Sequence, residues 1–386
     1  MERATRADVA RRAAADFRAR DRVLIGAEVE WLVYRREDPT RPVLAAETGR
    51  IAAGPLAAGG TVTIEPGGQL ELATRPAPNP AALVELVEAD TRTLVDRFAA
   101  AGLLLVPLGL DPIRPALRSL DVPRYEAMER YFAVHTPAGV QMMTRTASLQ
   151  LNIDFGPDPA ATWRRAHRLG PLLSAAFANS PSADGIDARP ISHRQRIWSN
   201  TDPSRTAPVG GSIGDWHRYV LDAQVMLRGA GSSAVRPSLE ALTFAEWLAD
   251  DDPPTHEELD LHFTTLFPPL RPRGYLELRM IDALPSTGRA AAVACVWTLL
   301  TDPSTGGEAT SLDDSLAERW GEATTRGLAD PALSEGAEHM LETVAARVRT
   351  AHPELAAACD SWREQIRTAP RATGAANLPD KAEPVG

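Results

Sequence analysis

The sequence predicts an α+β fold built on an antiparallel sheet, and three observations carry that expectation. Short stretches of alternating polar and apolar residues read as strands, the connections between them are long and irregular, and helical periodicity gathers late in the chain. With 386 residues, 44% of them hydrophobic and 24% charged, the chain can bury a substantial core. We expect one catalytic domain over 1–370 and a flexible tail over 371–386.

The opening segment MERATRADVARRAAADFRARD is rich in Arg and Ala and amphipathic, without the apolar centre of a secretory signal. Asp8 and Asp16 argue against a transit peptide, so it reads as the first helix of a cytoplasmic enzyme. Residues Arg22 to Arg35 form a strand, and Gly60 to Ala73 a hairpin-like pair around Pro66, Gly67 and Gly68. Asn79-Pro80 opens a helix, in which Leu83, Leu86, Val87, Leu94, Val95 and Phe98 recur at helical spacing up to Gly102. AGLLLVPLGLDP is a buried strand, Thr144 to Phe155 another, and Trp163 to Ala178 a helix. Thr243 caps a short helix with Glu246 at the capping-box position. Arg273 to Ile281 is a strand, and the chain from Arg289 onward is mostly helical.

Composition excludes several chemistries. A net charge of −10 disfavours nucleic acid as a partner. No apolar run reaches the roughly 20 residues a membrane span needs. The two cysteines, Cys295 and Cys359, cannot form a disulfide framework and read as buried free thiols, too far apart in the chain to suggest redox control. The single lysine, Lys381, stands in the tail, so phosphate must be held by arginine, backbone amides or metal ions. The histidines form no His-Glu-x-x-His and no tight cluster.

Side chains alternate faces along a strand, so residues of equal parity point the same way. Glu28 and Glu30 share a face, as do Glu65, Gln69 and Glu71, then Ser148, Gln150, Asn152 and Asp154, and then Tyr275, Glu277 and Arg279. Any one of these is compatible with the wet side of a half-exposed sheet. Together they crowd carboxylates that repel one another unless a cation sits among them. Magnesium, a hard ion that takes oxygen ligands and bridges to phosphates, is the natural candidate.

The segments GAEVEWL, TIEPGGQLELATRP, MMTRTASLQLNIDF, RIWSNTDPSR, TFAEWL and FPPLRPRGYLELRMID resemble, in this order, the glutamate–cysteine ligases of plant and proteobacterial type. Within them the chain is most similar to the actinobacterial branch that makes γ-glutamylcysteine for ergothioneine biosynthesis. The resemblance runs from about Arg22 to Leu284. It implies a glutamine synthetase-like fold, in which a curved antiparallel sheet forms an open funnel flanked by helices. It implies ATP as co-substrate and Mg2+ or Mn2+ as cofactor. The glutamate γ-carboxylate becomes an acyl phosphate, which the amine of L-cysteine attacks.

By this resemblance Glu28, Glu30, Glu65, Glu71 and Glu277 are the metal ligands, and Arg279 and Arg205 contact phosphate or the acyl phosphate. Arg145, Gln150 and Asn152 fall to glutamate and the funnel floor, and Trp198 and Tyr275 to the walls of the cysteine or nucleotide pocket. Plant members often carry Arg-Gly-Ala-Asp where this chain has Arg279-Met280-Ile281-Asp282, which keeps the charges and changes the shape of the neighbouring pocket. The expected partners are L-glutamate, L-cysteine and ATP, with no nucleic acid or membrane, on a monomer or weak homodimer. An alternative keeps the chemistry and changes the acceptor amine, and a non-catalytic module that senses a nucleotide or amino acid is a third reading.

Overall fold

One strand, β1 (Ile25–Arg35), has partners along both edges. In the computed structural model, which describes residues 2–180, 191–229, 235–305, 314–368 and 382–384, its start pairs with β5 (Ser148–Ile153). Its other edge pairs first with β3 (Leu70–Ala73) and then with β4 (Leu103–Val106). Counting β2 (Thr61–Ile64), and with β6 (Leu227–Arg228) and β7 (Arg236–Pro237) forming a separate two-stranded sheet, the main sheet is completed by β8 (Leu270–Pro272) and β9 (Leu276–Asp282). Its order is β2-β3-β1-β5-β9-β8, and every pairing is antiparallel.

The apolar side of this sheet makes the core. Ala27, Val29 and Trp31 of β1, Leu149, Leu151 and Ile153 of β5, and Leu276 and Leu278 of β9 are all buried. Three helices pack against them: Pro80–Ala100, Pro159–Ala176 and Ser286–Thr301. Asn79 accepts from the Ala82 amide and Pro80 occupies the first turn, so the first of these begins where its cap dictates. The second begins at Pro159 rather than Trp163, because the Asp158 side chain caps Ala161. Ser286–Thr301 is apolar almost all round, as a helix buried between other layers must be. Its outer side meets Pro331–Val348 and Pro353–Thr368.

The β2–β3 connection needs two glycines. Gly68 has φ +92, a left-handed conformation open to glycine at little cost, and a Cβ on Gly67 would lie 2.2 Å from the Thr144 carbonyl oxygen. Thr144 itself lies in the last turn of a helix, Ala138–Arg145, rather than starting a strand as expected. That helix and Pro123–His135 before it are not singled out by periodicity in the sequence, and both border the polar side of the sheet.

Both cysteines are buried and free as expected, and the end of the chain adds a contact of its own. Cys295 and Cys359 meet across the packed helices, where burial and a hydrogen bond between the two thiols push the Cys295 thiol up. Most of the expected flexible tail, 371–381 and 385–386, lies outside the described residues. Glu383, however, is buried: it pairs with Arg289, accepts from the Trp31 indole at 2.9 Å, and its amide donates to Leu105 O at 2.9 Å.

Leu151 sits at the centre of β5 with no exposure. Leu151→Ala is expected to lower the unfolding free energy by about 2–5 kcal/mol, read from the midpoint of urea denaturation.

Candidate active site

The register of the strands assembles the polar side pair by pair. Glu30 lies opposite Glu71, Glu28 opposite Gln150, Asn152 opposite Glu277, and Glu277 opposite Arg271. Cross-strand partners share a face, so these side chains stand on one surface. The pairing of β5 with β9 shifts between Leu149 and Leu151, and beyond that bulge Asp282 lies opposite Ser148.

Two cavities open on this surface. One, of about 350 Å³, has Glu28, Glu30, Glu65, Glu71, Gln150, Trp198 and Arg279 in its wall. The other, of about 840 Å³, is lined by Asn152, Tyr275, Arg20 and Arg22 among others, and Glu28 belongs to both.

The carboxylates of the smaller cavity are held but not neutralised. Glu30 accepts from the Ser148 amide and hydroxyl, each at 2.8 Å, and from Gln150 at 3.1 Å. Glu28 accepts from Asn152 at 3.1 Å, and Glu71 from the Thr63 hydroxyl. No protein donor among the described residues reaches the Glu65 carboxylate. Burial, reinforced by Glu30 and Glu71, pushes Glu65 well above the usual carboxylate range. Burial, with Glu30 and Glu28, pushes Glu71 up to about 7. Burial and Glu277 raise Glu28, against the pull of Arg279.

Glu277, expected as a metal ligand, is paired with three arginines. It has no exposure and takes the fork of Arg271 at 2.5 and 3.0 Å, with Arg279 at 3.2 Å and Arg273 at 3.6 Å. Burial works to raise its pKa, but Arg271 and Arg279 outweigh this and hold it at about 2. Arg279 reaches the cavity from this anchor and donates to Gln150 at 2.5 Å.

Two other expected residues stand away from both cavities. Arg205, expected at the phosphate, is fully buried, and its terminal nitrogens bond Thr265 O, Thr265 Oγ1 and Gln224 O. It clamps loops. Arg145 donates to Asp111 O at 2.6 Å. Asn152 and Tyr275 line the larger cavity and Trp198 the smaller, so the pocket residues divide between the two. The sequence reading missed Arg124, Tyr125, Arg194 and Arg271, which also wall the smaller cavity. Arg194 precedes Trp198 by one helical turn in SHRQRIWSN, a spacing that could have revealed it; Arg124 carries no such signal.

Among the described residues no three acidic, histidine or cysteine side chains converge closely enough to cage an ion unaided. Magnesium does not need a cage: it keeps several waters and is held by one or two carboxylates plus substrate phosphates. Glu28, Glu30, Glu65 and Glu71, crowded and electrostatically unrelieved, fit such an open site.

A family model described as glutamate-cysteine ligase family 2 matches residues 24–374. Glutamate–cysteine ligase EgtA of Mycolicibacterium smegmatis is 40% identical over 329 residues, which cover 81% of this chain and 77% of that protein. EgtA of Mycobacterium tuberculosis is 37% identical over 343 residues, with 84% and 79% covered. The crystal structure of glutamate–cysteine ligase from Francisella tularensis in complex with AMP superposes with a TM-score of 0.52 at 11% identity, covering 91% of this chain and 83% of that one. That last likeness is one of fold, an antiparallel sheet flanked by helices and open on its polar side.

Glu71 titrates higher in the folded protein than its ordinary value of 4.5, so the folded state binds more protons between that pH and about 7. Its contribution is fully present below the lower value and is lost as pH rises through about 7. The ligand-free protein is therefore expected to lose thermal stability between about pH 5 and about pH 8, and Glu71→Gln to lose less of it. Glu277→Gln leaves Arg271 buried without its counter-charge and is expected to cost about 3–5 kcal/mol in a denaturant titration.

Proposed function

The chain belongs to glutamate–cysteine ligase family 2, and from that membership we propose that it joins the γ-carboxylate of L-glutamate to the amine of L-cysteine at the expense of ATP. One observation supports this reading above the others. Four glutamates from β1, β3 and the turn before β3 crowd into one cavity whose wall also carries five arginines, Arg124, Arg194, Arg271, Arg273 and Arg279. That pairing suits a reaction in which phosphate must be brought against a carboxylate, two anions that repel.

A carboxylate is a poor electrophile, and phosphorylation converts its oxygen into a leaving group. The γ-carboxylate oxygen attacks the ATP γ-phosphorus, and the β–γ bridging oxygen leaves with ADP. The cysteine nitrogen then attacks the acyl carbon, expels phosphate and sheds a proton, which leaves γ-glutamylcysteine for ergothioneine or a related thiol. Mg2+ or Mn2+ would be held by Glu28, Glu30, Glu65 and Glu71, and would supply neutralisation of phosphate charge.

The protein's own groups do the rest. Ser148 and Gln150 orient Glu30, and Asn152 orients Glu28. Arg279, steadied by Glu277 and Gln150, offers a cation to the transferring phosphoryl group. The larger cavity, with Tyr275, Asn152, Arg20 and Arg22, has room for a second substrate on the other side of Glu28. Action in the cytoplasm as a monomer or weak homodimer is part of the same proposal; among the described residues no helix is long and apolar enough to cross a membrane.

With glutamate, cysteine, ATP and magnesium, the protein is expected to release ADP and form γ-glutamylcysteine only when cysteine is present. ADP release with other amines and not with cysteine would point to a different acceptor, and ATP binding with no turnover on any amine would discard the ligase. Glu28→Gln and Glu30→Gln are each expected to lower kcat roughly hundredfold or more, since metal stabilisation of the transition state is worth several kcal/mol.

A further inference from the structure

The helix His193–Ser199 places Arg194 in the wall of the carboxylate cavity, with 2% of the residue exposed. Its Nη2 donates to the Arg279 carbonyl at 2.9 Å. Its Nε and Nη1 are buried and meet no hydrogen-bond acceptor. Several buried arginines leave Nε unpaired, but among the described residues Arg194 alone leaves a buried terminal guanidinium nitrogen so. The Asp282 carboxylate stands 3.8 Å from Nη1, beyond hydrogen-bond reach. Its oxygens are engaged by the Asn179 amide at 2.7 Å and by the hydroxyls of Ser180 at 2.5 Å and Ser192 at 2.7 Å.

Leaving a charged donor buried and unmet is costly. The neighbouring Arg271 does not share the defect, spending its donors on Glu277 and on Leu266 O, and Arg205, although its Nε is unmet, spends both terminal nitrogens on carbonyl and hydroxyl oxygens. One turn further along the same helix, the Trp198 indole N–H is also buried without an acceptor, and its ring lies 5.4 Å from the Arg194 guanidinium carbon. Two unmet donor groups on one helix, both at one cavity, call for an acceptor from outside the protein.

We propose that Arg194 is a substrate-binding residue of this cavity, its Nη1 donating to a substrate oxyanion, either an amino-acid carboxylate or a phosphate. Asp282 supplies a counter-charge to the guanidinium without occupying the donor. The proposal rests on the ligase reading for the identity of the substrates, but not for its test, which can be made on binding alone.

Glutamate and MgATP are titrated separately by calorimetry into wild type and into Arg194→Gln, and KM for glutamate, cysteine and ATP is measured where turnover permits. Loss of one charge-assisted hydrogen bond is expected to weaken one substrate roughly tenfold to hundredfold and leave the others within about twofold. A change confined to glutamate or cysteine identifies a carboxylate, and one confined to MgATP a phosphate. Arg194→Lys, which keeps the charge and loses the planar fork, is expected to recover part of the loss, and takes the place of Arg194→Gln if that variant does not fold. Unchanged binding of every substrate in a folded variant would overturn the proposal. So would failure of both variants to fold, which would make Arg194 a purely structural residue. A wild type that binds glutamate and MgATP without cysteine-dependent ADP release would defeat the ligase reading and leave this comparison intact.

Discussion

Repulsion between carboxylates on one side of an antiparallel sheet is the constraint around which this protein is organised. Glu30 and Glu71 are direct cross-strand partners, an arrangement that ordinarily destabilises a sheet. Glu28 and Glu65 add to the same cavity, and burial raises Glu65 and Glu71 together with their neighbours' charge. Such a cluster persists because the opposite face is held independently. Trp31, Leu149, Leu151 and Leu278 are sealed beneath three helices, and that packing does not depend on what happens at the polar face.

The positive charges are arranged with equal consequence. Glu277 gathers Arg271, Arg273 and Arg279, and so mounts three cations on the sheet. The result is a surface with two halves, acidic toward β1 and β3 and basic toward β8 and β9. A metal-bound phosphate and a carboxylate can lie across that boundary with each charge facing its opposite. The guanidinium suits this role, since its planar fork locks to one carboxylate while its remaining edge stays available.

Distant parts of the chain hold β1 in place. Arg289, fully buried on Ser286–Thr301, binds Glu88 at 2.8 Å and Glu383 near the end of the chain, and Glu383 in turn receives the Trp31 indole. Trp31 and Glu30 are adjacent, so the contact that fixes one side of the strand also fixes the orientation of the other. Core and site are joined through alternation along a single strand.

Local periodicity was enough to determine much of this. The alternation along Ile25–Arg35 and Ser148–Ile153, the cap at Asn79 and the capping box at Thr243 each depend on neighbours a few residues away, and the strands and helices formed there accordingly. Parity put Glu28 with Glu30 and Gln150 with Asn152 on a shared face of each strand, register then joined them with Glu71 on one surface, and the absence of a lysine within the fold made arginine the expected cation. Parity does not say which charges neutralise one another. Glu277 and Glu30 look alike as letters in strands, yet only the pairing of β8 with β9 brings Arg271 opposite Glu277. Likewise Arg205 and Arg194 both look available, and loop packing spends one on backbone carbonyls while leaving Nη1 of the other, a residue of the cavity wall, without an acceptor. Chain alternation is a property of covalent geometry and can be read from the letters. The partner of a charge is set by strand register, a bulge in β9 and the packing of segments far apart in sequence, and those exist only in the folded molecule.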